Sequence, residues 1–529
     1  MAPNPPTSSL PGPGGATAVA PPPLAGSVAA RLERLRVEDV VARVWARDHT
    51  VWGRGPREVV DRLGWLTLPR TMEGQLGELE EFASACASEG LGAAVLCGMG
   101  GSSLAPEVLR SVFGVAPGRL DVLVLDSTHP EEILAVERTV ELDRALFLVV
   151  SKSGATAETL AHLAYFWVKV PDGSRFAAVT DPGTPLASLA AERGFRRVFV
   201  HPPDVGGRYA ALSPVGLLPA ALLGVDLGGL LGRAREAALA CGPEVPAPDN
   251  PGAWLGAWVG EAAWAGRDKL TLLLEPRFAP FGAWVEQLVA ESTGKEGRGV
   301  VPVVGEDLGA PDVYGEDRLF VGLGGEPLRR ALEPLSSSGH PVLHLPLDQP
   351  ASLGREFFRW EFAVAVAGHV LDVHPFDQPD VERTKAATRR FLEEGTPPVE
   401  WGDPEALLRT VRPGDYVAVQ AFVPRTEAWE RRLQAVRLRL RDRLRVATAV
   451  GFGPRFLHST GQLHKGGPPT GVFLQLVEEP GEDVPVPGAG HTFGQLLLAQ
   501  AAGDLHTLLA AGRRAARVRV EDLEEAAGR

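Results

Sequence analysis

The sequence predicts an α/β protein of open parallel sheets covered by helices, arranged as two α/β units in tandem with a third section behind them. Three observations carry this. Short, almost wholly apolar runs alternate with helix-length segments along most of the chain, the pattern of strands buried on both faces. Two of those runs empty directly into Gly/Ser-rich turns that open a helix. In open parallel sheets such junctions gather at the carboxyl ends of the strands, where ligands sit.

In chain order, residues 1–26 are rich in Pro, Ala and Gly and have neither a basic start nor a clean apolar core. They are expected to be a disordered leader and not a signal peptide. Residues 27–242 should form the first unit, opened by helices. Its strands fall at 93–97, 121–125, 145–150, 176–179 and 197–200, and its helices at 104–113, 130–140, 159–168 and 186–193. Residues 226–250 read as an Ala/Gly/Leu helix running into a Pro-rich linker. The second unit, 250–392, has strands at 269–274, 319–323 and 341–345, a helix at 280–290 and a long apolar helix at 355–373. The third section, 393–529, alternates strand 416–423, a charged amphipathic helix 427–444, strands 447–451 and 471–477, helix 493–511 and strand 516–520.

The chain of 529 residues carries a net charge of −13. That argues against nucleic acid or an anionic membrane surface as partner, so any phosphate site must be made positive locally. Cys86, Cys97 and Cys241 form neither a disulfide framework nor a CxxC pair, and a cytoplasmic location is expected. No apolar run reaches the length of a membrane span.

Six polar islands interrupt this frame. Strand 145–150 empties into Ser151-Lys152-Ser153-Gly154-Ala155-Thr156, just before a helix. Free backbone N–H groups, the positive helix end and short hydroxyls there point at one place, which suits a phosphate monoester. The loop lacks the Gly-Lys-Ser/Thr ending of a Walker A motif, and alone it also reads as an ordinary capped helix. Strand 93–97 ends in a second loop of the kind, Gly98-Met99-Gly100-Gly101-Ser102-Ser103. In Gly206-Gly207-Arg208-Tyr209 a permanent, delocalised cation stands beside a close backbone approach, unless it serves a surface ion pair.

Glu291, in Glu291-Ser292-Thr293-Gly294-Lys295, ends an apolar helix. A carboxylate there opposes the helix dipole, which suits proton abstraction; the alternative is a solvated turn capped by Gly294. Gln378 precedes a Pro-started helix that carries Lys385 one to two turns in, where lysines usually face water. The Gly-rich loop 457–467 holds His458 and His464. Two histidines six apart, with no carboxylate or thiol between, are poor metal ligands, so acid/base use is favoured over a metal.

Together these islands resemble phosphoglucose isomerase, in particular the isomerase part of bacterial proteins that fuse it to a transaldolase. The resemblance runs from about Ala30 to the C-terminus and includes no transaldolase segment. It implies two SIS-type three-layer αβα sandwich domains with parallel sheets, plus a C-terminal α/β section. It also implies that Gly101 and Ser102 of the first loop, Ser151, Lys152, Ser153 and Thr156 of the second, and Gln378 hold a sugar phosphate. Glu291 matches the family's catalytic base, Arg208 its intermediate-stabilising arginine, and Lys385 its active-site lysine.

One departure stands out. The family's ring-opening histidine lies in a Thr-Asn-Gly-Gln-His stretch shortly after the glutamate. Between Lys295 and Lys385 this chain has only His340, His344, His369 and His374, none in that context. The nearest likeness, Ser459-Thr460-Gly461-Gln462-Leu463-His464, follows the lysine. His464 is therefore the first candidate and His458 the second, and the third section would take over a role normally played from elsewhere.

The reaction implied is reversible aldose–ketose isomerisation of glucose 6-phosphate and fructose 6-phosphate through a cis-enediolate, with no metal or cofactor, in a homodimer with a shared active site. Two rivals remain at this point. One is an isomerase of another sugar phosphate, such as mannose 6-phosphate. The other is a SIS-type sugar-phosphate sensor, which would not need Glu291, Arg208 and Lys385 together.

Overall fold

In the computed structural model, residues 8–53 and 55–528 are described. Strands β1 (Ser8–Pro11) and β2 (Thr17–Ala20) form an antiparallel hairpin, and a helix, Pro22–Val37, follows. The expected disordered leader is thus corrected from Ser8 onward. Ala18 and Ala20, within that Pro/Ala/Gly-rich stretch, are the buried face of a strand. Residues 1–7 lie outside the described residues.

The five expected strands of the first unit are present: β3 (Ala93–Cys97), β4 (Asp121–Leu125), β5 (Ala145–Val150), β6 (Phe176–Thr180) and β7 (Arg197–Val200). They run parallel in the order β4-β3-β5-β6-β7. The chain thus steps from β3 outward to β4 and then returns to place β5 on the other side of β3. That reversal is a topological switch point, where the turns leaving β3 and β5 part and a crevice opens at the carboxyl edge. The two Gly/Ser loops are those turns.

The second unit has β8 (Lys269–Leu274), β9 (Val301–Val303), β10 (Arg318–Gly324) and β11 (Val342–Pro346), parallel in the order β9-β8-β10-β11. The N-terminal hairpin extends this sheet, β2 pairing antiparallel with β11. The long apolar helix, Leu353–Leu371, packs on helix Pro251–Trp264 with almost no space between them. A Cβ at Gly256 would lie 2.4 Å from the Ala363 carbonyl oxygen, so only glycine lets these backbones approach.

The third section is also a parallel α/β unit, with β12 (Tyr416–Phe422), β13 (Ala447–Phe452), β14 (Gly471–Val477) and β15 (Arg514–Arg517) in the order β13-β12-β14-β15. The last strand starts two residues before the expected 516–520, and Val520–Gly528 is a helix. Helix Pro379–Glu394 straddles the boundary expected at 392. It packs on the third section's helix Phe493–Ala510 through Ala387, Phe391, Ala499 and Ala502.

Candidate active site

All three sections meet at a cleft of about 470 Å³ at the switch point of the first sheet. One wall of it is the loop after β5. Gly154 closes the turn, its φ of 64° in the left-handed region and its N–H donating to the Ser151 carbonyl at 3.1 Å. Lys152, Ser153 and Thr156 line the cleft. Ser151 is buried behind them, its hydroxyl 2.9 Å from that of Thr156, so it braces the loop. Helix Ala157–Lys169 begins directly afterwards and turns its unpaired N–H groups toward the loop. The Lys152 ammonium binds Asp181 and the Pro203 carbonyl, and the other Asp181 oxygen meets His201 Nδ1 at 2.9 Å.

The first loop explains its own glycines. A Cβ at Gly101 would lie 2.2 Å from the Gly207 carbonyl oxygen, and one at Gly100, 2.7 Å from the His458 carbonyl oxygen. The first loop, the Gly-Gly-Arg turn and the His458 turn are therefore in backbone contact. Gly101 and Ser102 both line the cleft.

Arg208 is buried and fixed on every side. Its Nε donates to Ser292 Oγ (2.8 Å), Nη1 to Gln378 Oε1 (3.0 Å), and Nη2 to the Pro375 carbonyl (2.7 Å). So held, it places Nη1 3.1 Å from Glu291 Oε1. Glu291 sits in the last turn of helix Phe281–Thr293, and its Oε2 accepts from Gln287 Nε2 at 3.1 Å. The same Gln287 amide donates to the His458 carbonyl at 2.7 Å. Sequence reasoning missed Gln287, although its place four residues before Glu291, on the same helical face, was a usable signal.

Lys385 also lines the cleft, half exposed and 2.7 Å from Glu382. Lys295 is buried, bonded to the His374 carbonyl and 2.7 Å from Asp377. Burial, and then the Arg208 charge, push its ammonium pKa down to about 7.

The two histidines are placed in the reverse of the expected order. His464 lies in helix Gly461–Gly466 but turns to the sheet, among the rings of Tyr416, Phe456 and Phe473, with Nδ1 3.2 Å from Gln420 Nε2. Burial pushes its pKa well below the usual imidazole range, and it does not line the cleft. The expectation for His464 is corrected accordingly. His458 lines the cleft, its Nε2 2.8 Å from Glu158 Oε1. Burial would raise the Glu158 carboxyl, but the adjoining imidazole outweighs it and holds the pKa at about 2.

Among the described residues, no cluster of three or more His, Cys, Asp or Glu that could hold a metal is found, and no helix is long and apolar enough to cross a membrane.

Residues 82–297 match the phosphoglucose isomerase family model. A glucose-6-phosphate isomerase of Thermus thermophilus is 32% identical over 384 residues, 62% of this chain and 90% of that protein. The chain belongs to the phosphoglucose isomerase family. A second phosphoglucose isomerase relative, the glucose-6-phosphate isomerase of Rubrobacter xylanophilus, is 30% identical over 391 residues, 62% of this chain and 88% of its own. Among solved structures, a hypothetical protein of Thermus thermophilus matches with a TM-score of 0.59 at 28% identity, covering 70% of this chain and 98% of that one. The glucose-6-phosphate isomerase of Chlamydia trachomatis shares the fold, with a TM-score of 0.55 at 20% identity over 70% of this chain and 80% of its own. The phosphoglucose isomerase model spans both Gly/Ser loops, Arg208 and Glu291; Gln378, Lys385 and His458 lie beyond it.

Proposed function

We propose that the cleft interconverts glucose 6-phosphate and fructose 6-phosphate through a cis-enediolate, with Glu291 carrying the proton between C2 and C1. The observation that carries this reading is the Glu291 carboxylate, held 3.1 Å from a fully tethered Arg208 in the cleft that the two phosphate-type loops open. Membership of the family makes the chain an aldose–ketose isomerase of these sugar phosphates.

The phosphate sits on Ser153, Thr156 and the first-loop residues Gly101 and Ser102, at the N-terminus of helix Ala157–Lys169. Binding energy from this non-reacting end orients C1 and C2 against the base. His458, oriented by Glu158 and assisted by Lys385, moves the protons that open the ring. Glu291 then takes the C2 proton and returns it to C1 on the same face, so one base serves both steps. Arg208 stands where the enediolate oxygen acquires charge. Hydrogen leaves one carbon and returns to the next, so substrate and product stand at the same oxidation level.

The test is turnover of fructose 6-phosphate, read by a coupled dehydrogenase, for wild type and Glu291→Gln. Loss of general-base catalysis should lower kcat by about 10²–10⁴-fold with sugar-phosphate affinity retained. Undiminished turnover in the variant would remove Glu291 from the role. Binding without turnover in the wild type would favour a sensor.

A further inference from the structure

We propose that a second cavity, beside the cleft, binds a small amphipathic carboxylate, its head on Arg389 and its chain among Leu392, Leu457 and Leu496, and that occupation of this cavity slows turnover. The site is argued from its own walls; only the effect on turnover rests on the isomerase reading.

The cavity has a volume of about 200 Å³ and is lined by helix Pro379–Glu394, helix Phe493–Ala510 and the turn that carries His458. Ser153, Thr156, Lys385 and His458 line both it and the cleft. Arg208 and Glu291 line the cleft alone, and Arg389, Leu392, Leu457 and Leu496 the cavity alone. Helical spacing explains the walls. Lys385, Arg389 and Leu392 follow one another at four and three residues, so they share a face of their helix. Ala387 and Phe391 of the same helix pack instead on Ala499 and Ala502. From helix Phe493–Ala510, Leu496 and Gln500, one turn apart, line the cavity beside that seam.

The charges in these walls select the ligand. Glu158, the one carboxylate among them, is engaged by His458 at 2.8 Å and by Gln500 at 2.7 Å. Lys385 is engaged by Glu382 at 2.7 Å. Arg389 is exposed and makes no ion pair among the described residues. The uncommitted charge is therefore one guanidinium, above a floor that includes the buried Leu457 and Leu496. A carboxylate matches a guanidinium through two parallel hydrogen bonds, and a short alkyl chain takes the leucines out of water. Pockets for drug-sized ligands measure roughly 300–1,000 Å³, so the ligand here is smaller. Leu457 directly precedes His458, which itself lines the cavity. A bound chain thus packs against His458 and restrains the residue that passes protons to the sugar.

The experiment is isothermal titration calorimetry of the full-length chain with hexanoate, beside acetate and hexan-1-ol. Hexanoate should bind with a dissociation constant of about a millimolar. Acetate lacks the chain and hexan-1-ol the charge, so each should bind roughly tenfold more weakly or less. Arg389→Ala, a surface change, should weaken hexanoate by roughly tenfold to a hundredfold. Leu392→Trp, which fills the cavity, should abolish its binding, and thermal melting checks that both variants stay folded. Saturating hexanoate should lower kcat for fructose 6-phosphate by roughly tenfold in wild type, and the same concentration should leave Arg389→Ala unaffected. No binding of hexanoate overturns the proposal, as does binding unchanged in Arg389→Ala. Acetate as tight as hexanoate means an anion held in the Gly/Ser loops, and hexan-1-ol as tight means an apolar surface without a head-group site; either overturns it as well. Binding as expected with kcat unchanged overturns the coupling to His458. An inactive wild type fails the functional reading instead, and the binding results still decide the site.

Discussion

Glu158 and His458 lie 300 residues apart in the chain and meet at 2.8 Å in the cleft. Glu158 occupies the first turn of helix Ala157–Lys169, where the helix dipole favours a carboxylate. Gln500 donates to the same carboxylate oxygen at 2.7 Å. With Nε2 committed to this carboxylate, Nδ1 is the ring nitrogen left for a substrate.

Replacing Glu158 by Gln keeps the shape and removes the charge. Turnover should fall by roughly tenfold to a hundredfold, at or below the low end of the 10²–10⁴ that acid–base groups supply. Stability should change in a pH-dependent way. The folded-state pKa of about 2 lies below the ordinary carboxylate value of 4.5, so the stability that Glu158 lends is present above about pH 4.5 and lost as pH falls toward 2. Melting of the two proteins at pH 7 and pH 3 checks this. The wild type's advantage should shrink at the lower pH, and an advantage that grows there would reverse the assignment.

Gly101→Ala tests the contact between the first loop and the Gly-Gly-Arg turn. The new methyl would collide with backbone at 2.2 Å, so the turn carrying Arg208 has to move. Arg208 then loses register with Glu291. A displacement of this kind should cost roughly a hundredfold in kcat while the fold persists. Comparing kcat with the circular dichroism melt separates the two effects, and a variant with wild-type kcat would show that the turn is free to adjust.

Thr156→Val removes a hydroxyl that lines the cleft and leaves the buried Ser151 hydroxyl without its partner. A hydrogen bond to a charged group contributes about 1.5–3 kcal/mol, so KM should rise by roughly tenfold to a hundredfold. The effect on kcat should be smaller, because the phosphate is remote from C1 and C2. Ser151→Ala should show the same split with a smaller rise. A change confined to kcat would place the phosphate elsewhere.

The first sheet was legible because each of its strands is a short apolar run that a turn ends abruptly, and period and punctuation are both local. The Ser/Gly loop after β5, Arg208, Glu291 and Gln378 were legible as motifs, and the cleft gathers them. The N-terminal hairpin was not, because alanine in a Pro/Gly-rich stretch carries no strand signal until a neighbouring sheet edge, here β11, covers it. The histidine was misplaced for a related reason. The likeness around His464 describes a short helix, and which side of that helix faces the cleft is set by β12 and β14, from which Gln420, Tyr416 and Phe473 surround the ring. His458 has no motif of its own; Glu158 and Gln287, far away in the chain, give it its place.

Lys295 offers a test of how the Glu291 motif is built. Its ammonium supports the His374–Asp377 turn, whose Pro375 and Asp377 carbonyls hold the Arg208 guanidinium at 2.7 and 3.1 Å. Its folded-state pKa of about 7 lies below the ordinary lysine value of 10.5. Between those values the unfolded chain binds a proton that the native state has released, so this group makes stability rise with pH, by up to about 1.4 kcal/mol per unit. Below pH 7 its full cost is present. Lys295→Met has no such proton, so the wild type's stability relative to the variant should increase from pH 7 to pH 9 in urea titrations. A flat difference would mean that Asp377 keeps the lysine charged throughout. Because the same ammonium props the turn behind Arg208, Lys295→Met should also lower kcat, and the gap to wild type should narrow as pH rises through 7 and the wild-type amine gives up its proton; a gap independent of pH would separate the turn from that proton.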